Sequence, residues 1–125
     1  MEKVLADVYL KTFYDQLAFG AFVMLIPLAI TILIEAVTAM IYALVRGLNV
    51  KTILLSVLIA NVMSYPIIIT LSAALSYRYS FVPLEILVVC IECAIISNVA
   101  KIDIKEGAIL SIVINVVSFS LPWIF

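Results

Sequence analysis

Apolar residues run almost unbroken along most of the chain, and polar residues interrupt them in two ways. Clusters such as "RGLN" (46–49), "SYRYSFVP" (76–83) and "KIDIKEG" (101–107) cut the chain into apolar stretches at about 17–45, 51–75, 82–100 and 108–125. A membrane-crossing helix needs roughly 20 such residues, a length the last stretch barely reaches. Single polar residues inside the stretches recur instead at helical spacing. The pattern predicts an all-α fold in which residues 17–125 form a four-transmembrane-helix bundle.

Residues 1–16 read differently. Val4, Leu5, Val8, Tyr9, Thr12 and Phe13 recur at helical spacing and Leu17 continues the series, with Glu2, Lys3, Asp7, Lys11 and Asp15 elsewhere. This predicts an amphipathic N-terminal helix that lies on the membrane or extends the first span. It lacks the basic start, short apolar core and small-residue cleavage site of a secretory signal. Pro27 and Pro66 should kink the first and second spans. Tyr77, Tyr79 and Trp123 are expected as interfacial anchors. None of the three Gly is expected to be buried in a span, so GxxxG packing is not anticipated.

Composition turns the pattern into an exclusion. Of 125 residues, 67% are hydrophobic and 12% charged, with a mean hydropathy of +1.36; soluble domains are roughly half apolar and a quarter charged. The solvent is therefore a lipid bilayer and the protein an integral, multi-pass one. A net charge of -1 supplies no basic face for nucleic acid. The absence of His excludes a His-based metal site, a Ser-His nucleophile pair and an imidazole relay, so an enzyme is not expected. Cys90 and Cys93 form a CxxC inside an apolar stretch with no second pair, and are expected to pack between helices, away from Glu92. Arg46, Lys51, Lys101 and Lys105 fall on one side and Lys3, Lys11 and Arg78 on the other. Counting short loops, the first group reads as cytoplasmic with both termini outside, a slight bias that leaves the opposite orientation and a mixture of the two open.

The interior polar residues carry the chemistry. Thr31, Glu35, Thr38 and Tyr42 follow steps of four, three and four, which is one helical face. Asn61 is joined by Ser64, Tyr65 and Ser72; Glu85 and Glu92 are seven apart; Ser111, Asn115 and Ser118 repeat the spacing in the last span. At about 1.5 Å per residue, Glu35, Asn61, Glu92 and Asn115 each lie within about 6 Å of a span midpoint. An acid there costs about 2.5–3.5 kcal/mol and commonly marks an ion or proton path. Carboxylates, amide oxygens and hydroxyls suit a bound hard cation, Na⁺ or Ca²⁺, or proton exchange. No Lys or Arg sits within a span to receive an anion. Glu85 would line an entrance, with Thr31, Thr38, Tyr42 and Ser111 along the route. The competing reading is that Asn and Ser are interhelical glue, contributing about 0.6 kcal/mol each.

An internal echo adds to this. "LSVLIANVMSY" resembles "LSIVINVVSF", relating Asn61, Ser64 and Tyr65 to Asn115, Ser118 and Phe119 at an offset of 54, whereas Glu35 and Glu92 pair at 57. Two parallel helical-hairpin repeats about an axis along the membrane normal are expected, the difference of three being assigned to a shorter loop in the second half.

Together, "TILIEA", "LIANVMSYP", "LEILVVCIEC" and "LSIVINVVSF" resemble small four-helix prokaryotic membrane proteins. In these, an acidic first helix precedes an N-x-x-[ST]-x-P second, an E-x6-E third and an S-x3-N-x2-S fourth. The resemblance implies a multi-pass protein of the prokaryotic cytoplasmic membrane and brings no activity with it. "IEAVTAM" is faintly similar to the motif of small multidrug exchangers, but those lack a counterpart to Glu92 and are richer in Gly. The Gly-rich signature of dual-topology fluoride channels is missing, as is the small-residue packing of proton-driven rotor subunits. The expectation is a small cation transporter or channel with no cofactor. Glu35 and Glu92 would carry charge or protons, Asn61 and Asn115 would supply carbonyl ligands, and Ser64 and Ser118 would complete the shell. Four helices enclose little by themselves, so a homo-oligomer, most simply a dimer, is expected. The alternatives are a non-catalytic subunit of a larger membrane complex and a small proton-coupled multidrug exchanger.

Overall fold

The computed structural model describes the backbone of residues 1–74 and 77–124, and their side chains except at positions 21, 24, 72, 73, 77–81 and 122–124. The chain is helical throughout its described elements: α1 (Glu2–Arg46), α2 (Val50–Ala74), α3 (Tyr77–Ala100) and α4 (Ile104–Ile124). Four segments are long and apolar enough to cross a membrane, Glu2–Arg46, Val50–Leu71, Val82–Ala100 and Ile104–Leu121. The side chains of Ser72, Tyr77, Tyr79 and Trp123, expected in a polar stripe or at the interface, lie outside the described residues.

Two compact units divide the chain, Met1–Ile30 and Thr31–Phe125. In the first, every residue from 1 to 19 is exposed, the apolar positions Val4, Val8 and Phe13 as much as the charged ones. The second contains the packed core. Ala39 and Ala43 of α1, Ile53, Val57 and Ala60 of α2, Ile96 of α3, and Leu110 and Ile114 of α4 are fully buried against one another. Leu33, Leu44, Leu55, Val62, Val82 and Val116 stay more than half exposed, as suits helices whose outer surface meets hydrocarbon.

Helix ends explain where the chain turns. Asn49 caps α2, its Oδ1 accepting from Thr52 N at 3.2 Å. Gly47 has φ +67°; Leu48 N donates to Ala43 O at 2.8 Å and Gly47 N to Leu44 O at 3.4 Å, the paired closure of a glycine-ended helix. The α3–α4 connection repeats this with Lys101 at φ 53° and Ile102 N donating to Ser97 O at 3.2 Å. Lysine there carries the steric cost of left-handed backbone that glycine avoids.

The two connections are equally long, 47–49 and 101–103, which corrects the expected shorter loop. The helix ends Arg46 and Ala100, and the helix starts Val50 and Ile104, are each 54 apart. The extra three residues between the glutamates are therefore inside the helices. Glu35 lies 11 residues before the end of α1 (46 - 35) and Glu92 8 before the end of α3 (100 - 92), so Glu92 sits about 4.5 Å nearer its connection.

Three further expectations change. Most of "SYRYSFVP" is helical, because α3 begins at Tyr77 and takes in Pro83; its polar residues interrupt the apolar run without interrupting the helix. Gly107, expected outside the buried interior, is buried in the first turns of α4. There α4 approaches α3 so closely that an added Cβ would lie 3.3 Å from Cys93 O and 3.2 Å from Ser97 Cβ. Cys90, expected between helices, is exposed, whereas Cys93 does meet α4, its Sγ 3.8 Å from Ile104 O.

Candidate functional site

Asn61 and Asn115 are each 11 residues into their helix (61 - 50; 115 - 104), and both amides are oriented the same way. Each Nδ2 donates back to the carbonyl one turn earlier, Asn61 to Val57 O at 3.1 Å and Asn115 to Ser111 O at 2.9 Å. The other N–H of each reaches across to a carboxylate, Asn61 to Glu35 Oε2 at 2.6 Å and Asn115 to Glu92 Oε2. All four acceptors are oxygens that cannot donate when the acids are ionised, which fixes the amide orientation chemically. Oδ1 of each amide is thereby left as the atom a ligand would meet.

The serines close the arrangement crosswise. Ser118 Oγ donates to Glu35 Oε1 at 3.0 Å, and Ser64 Oγ lies 3.5 Å from Glu92 Oε1, a long contact. Each glutamate thus bonds the asparagine of its own hairpin and the serine of the other. Each of the four carboxylate oxygens has one of these donors among the described residues, the one on Glu92 Oε1 being the long contact. Glu35 and Glu92 are 1% exposed, and Asn61, Ser64 and Asn115 are also buried.

These six side chains line one cavity of about 350 Å³, with Thr31, Tyr65, Ile68, Glu85, Val88 and Phe119 completing its wall. It lies on the side of the buried core away from the 47–49 and 101–103 connections, since the core residues of all four helices are nearer those turns. Among the described residues, three carboxylates line the cavity and no basic side chain does. No group of three or more Asp, Glu, Cys or His close enough to hold a metal occurs among the described residues. Glu85 therefore does not join Glu35 and Glu92 around one ion, and any coordination shell there must draw on Asn and Ser oxygens.

Other candidates are elsewhere. Ser111 is buried and donates to Val89 O at 2.9 Å, bridging α4 to α3. Thr38 Oγ1 turns back on Ile34 O at 2.8 Å. Tyr42 donates to Glu106 Oε1 at 2.8 Å, within a cluster in which Arg46 grips Glu106 through Nε at 2.9 Å and Nη2 at 2.8 Å. Of the expected route residues, Thr31 and Glu85 line the cavity; Thr38, Tyr42 and Ser111 do not.

Sequence reasoning left Tyr65 and Phe119 out of the site, although they stand at the same offset of 54 as the asparagines. That offset was the available signal. The Arg46–Glu106–Tyr42 cluster spans 60 and 64 positions, and no local pattern reports such a pairing. No family profile, no curated protein and no solved structure matches the chain.

Proposed function

We propose that this chain is a small membrane transporter or channel for cations, not an enzyme, with its site in the cavity between Glu35 and Glu92. The observation that carries the reading is one cavity lined by three carboxylates, with no basic side chain among the described residues. Carboxylates out of water require protons or counter-cations, and a site that exchanges one for the other is a transport site. Glu35 and Glu92 take the charge, the Oδ1 atoms of Asn61 and Asn115 are neutral ligands, and Ser64 and Ser118 complete the shell. Thr31 and Glu85 line the approach. A hard cation, Na⁺ or Ca²⁺, or a proton is the simplest occupant. The buried core on the connection side makes this a state closed on one side, with Arg46 and Glu106 clasped across that end.

Two repeats support the same reading. At an offset of 54 the connections, left-handed residues, asparagine back-bonds and serine bonds to Asn61 O and Asn115 O all correspond. Repeated hairpins meeting at a midplane site are a recurrent transporter plan. The prokaryotic cytoplasmic membrane is the proposed location and a homodimer the proposed assembly.

A second reading is favoured by the same hydrogen bonds: with one donor on each carboxylate oxygen, the network would also serve as glue in a subunit of a larger complex. Cation flux into proteoliposomes separates the two, screening Na⁺, K⁺, Ca²⁺ and H⁺ for wild type, Glu35→Gln and Glu92→Gln. Loss of flux in both folded variants supports the site. Absence of wild-type flux, with both variants at least as stable, would establish the glue reading.

A further inference from the structure

We infer that the ligand of the cavity is an amphiphilic organic cation, its ammonium head held among the carboxylates and its hydrocarbon tail in a groove between α3 and α4. The inference rests on the cation-site reading above and puts an organic cation in the place of the hard cation named there. A second hollow, of about 450 Å³, is walled by Val82 and Ile86 of α3 and Ile112 and Val116 of α4. These four side chains are 50–65% exposed, so the groove opens sideways, where the helices meet hydrocarbon. Glu85, Asn115 and Phe119 line both this groove and the polar cavity. The two hollows therefore share a wall.

Size and lining point to an organic rather than a bare inorganic ion. At roughly 30 Å³ per water, the polar cavity has space for on the order of ten waters, much more than a dehydrated metal ion requires. Its volume falls in the range of small-molecule sites, about 300–1,000 Å³, which pair apolar walls with a few polar groups. Tyr65 and Phe119 add aromatic rings beside the acids, and rings with carboxylates suit a substituted ammonium. The groove surface itself is apolar, and Glu85 is part of the wall between it and the cavity. A bilayer acyl chain would fill such a groove but leave the carboxylates of the adjoining cavity without a counter-charge. A cationic head on an apolar tail satisfies both parts at once.

The test is equilibrium binding of tetramethylammonium, butyltrimethylammonium and hexyltrimethylammonium to the protein in phosphatidylcholine nanodiscs, with empty nanodiscs subtracted. Wild type, Glu85→Gln and the groove-filling Val116→Trp are compared, with Ile86→Trp replacing Val116→Trp if that variant does not fold. Affinity in the wild type should rise by up to about four-fold per added methylene. The groove-filled variant should lose most of that gain while binding tetramethylammonium as before, and Glu85→Gln should weaken the long-chain ligands. The inference is overturned if tetramethylammonium or Na⁺ binds but chain length adds nothing, or if the gain survives filling the groove. A change in particle mass in the groove-filled variant, with the gain intact, would assign the groove to a second copy of the chain instead. If no cation of either kind binds to folded protein, the cation-site reading falls as well.

Discussion

Replacing Gly107 by Ala tests how closely α3 and α4 approach. The new Cβ would overlap Ser97 Oγ and lie 3.2 Å from Ser97 Cβ and 3.3 Å from Cys93 O. The first clash can be relieved, because Ser97 Oγ is buried without a hydrogen-bond partner and rotating it breaks nothing. The other two involve atoms fixed to the α3 backbone, so the helices must part by a few tenths of an ångström. Overpacking of this kind costs about 1–3 kcal/mol, and alanine returns up to about 1 kcal/mol of helix propensity over glycine. A net loss of about 1 kcal/mol is expected in reversible unfolding by SDS in mixed micelles, followed by circular dichroism. Ser97→Gly removes both serine contacts, and in that background Gly107→Ala should become neutral or stabilising, a coupling of about 1 kcal/mol. Because Cys93 adjoins Glu92, parting the helices should also lengthen the Glu92–Asn115 contact and lower cation uptake. Gly107→Ala as stable as wild type, with no coupling to position 97, would refute the reasoning.

Lys101→Gly should stabilise the protein by about 1 kcal/mol in the same assay, since it removes a side chain from left-handed backbone, and Gly47→Ala should cost a similar amount. Ser111→Ala should cost about 0.6–1 kcal/mol by removing the bond to Val89 O while cation flux persists, which would separate it from Ser64 and Ser118. Stability should fall with added salt in the wild type and lose that dependence in Glu106→Gln, because Arg46 and Glu106 form an exposed ion pair. The exchanged pair Arg46→Glu with Glu106→Arg should restore it.

Much of the fold was legible because a bilayer imposes simple rules on sequence. Long apolar runs had to be helices, and the break at "RGLN" fell where the structure turns, whereas only the first three residues of "KIDIKEG" do, Ile104 to Gly107 belonging to α4. The start of α3 was misread because Ser and Pro in "SYRYSFVP" give the same local signal in a loop and in the first turns of a helix. Gly107 was misjudged because its importance comes from Ser97 and Cys93 on another helix, which no periodicity reveals. The glutamate offset was misassigned to a loop because sequence distance alone cannot separate loop length from position within a helix.

The sequence by itself determined the helices, four of them with segments long and apolar enough to cross a membrane, and the inventory of their polar groups: 67% hydrophobic residues supply the apolar runs, and acids within apolar helices require partners. It also ordered Glu35, Asn61, Glu92 and Asn115 along their helices, because helical rise is fixed by the backbone. Only the tertiary structure decided who meets whom. That Glu35 bonds Ser118 across 83 positions while Glu92 reaches Asn115, that Tyr42 turns to Glu106, and that Glu85 joins a polar cavity to a lipid-facing groove all depend on the rotation and packing of helices about one another. Those are set by side-chain fit at the interfaces, which a one-dimensional pattern does not contain.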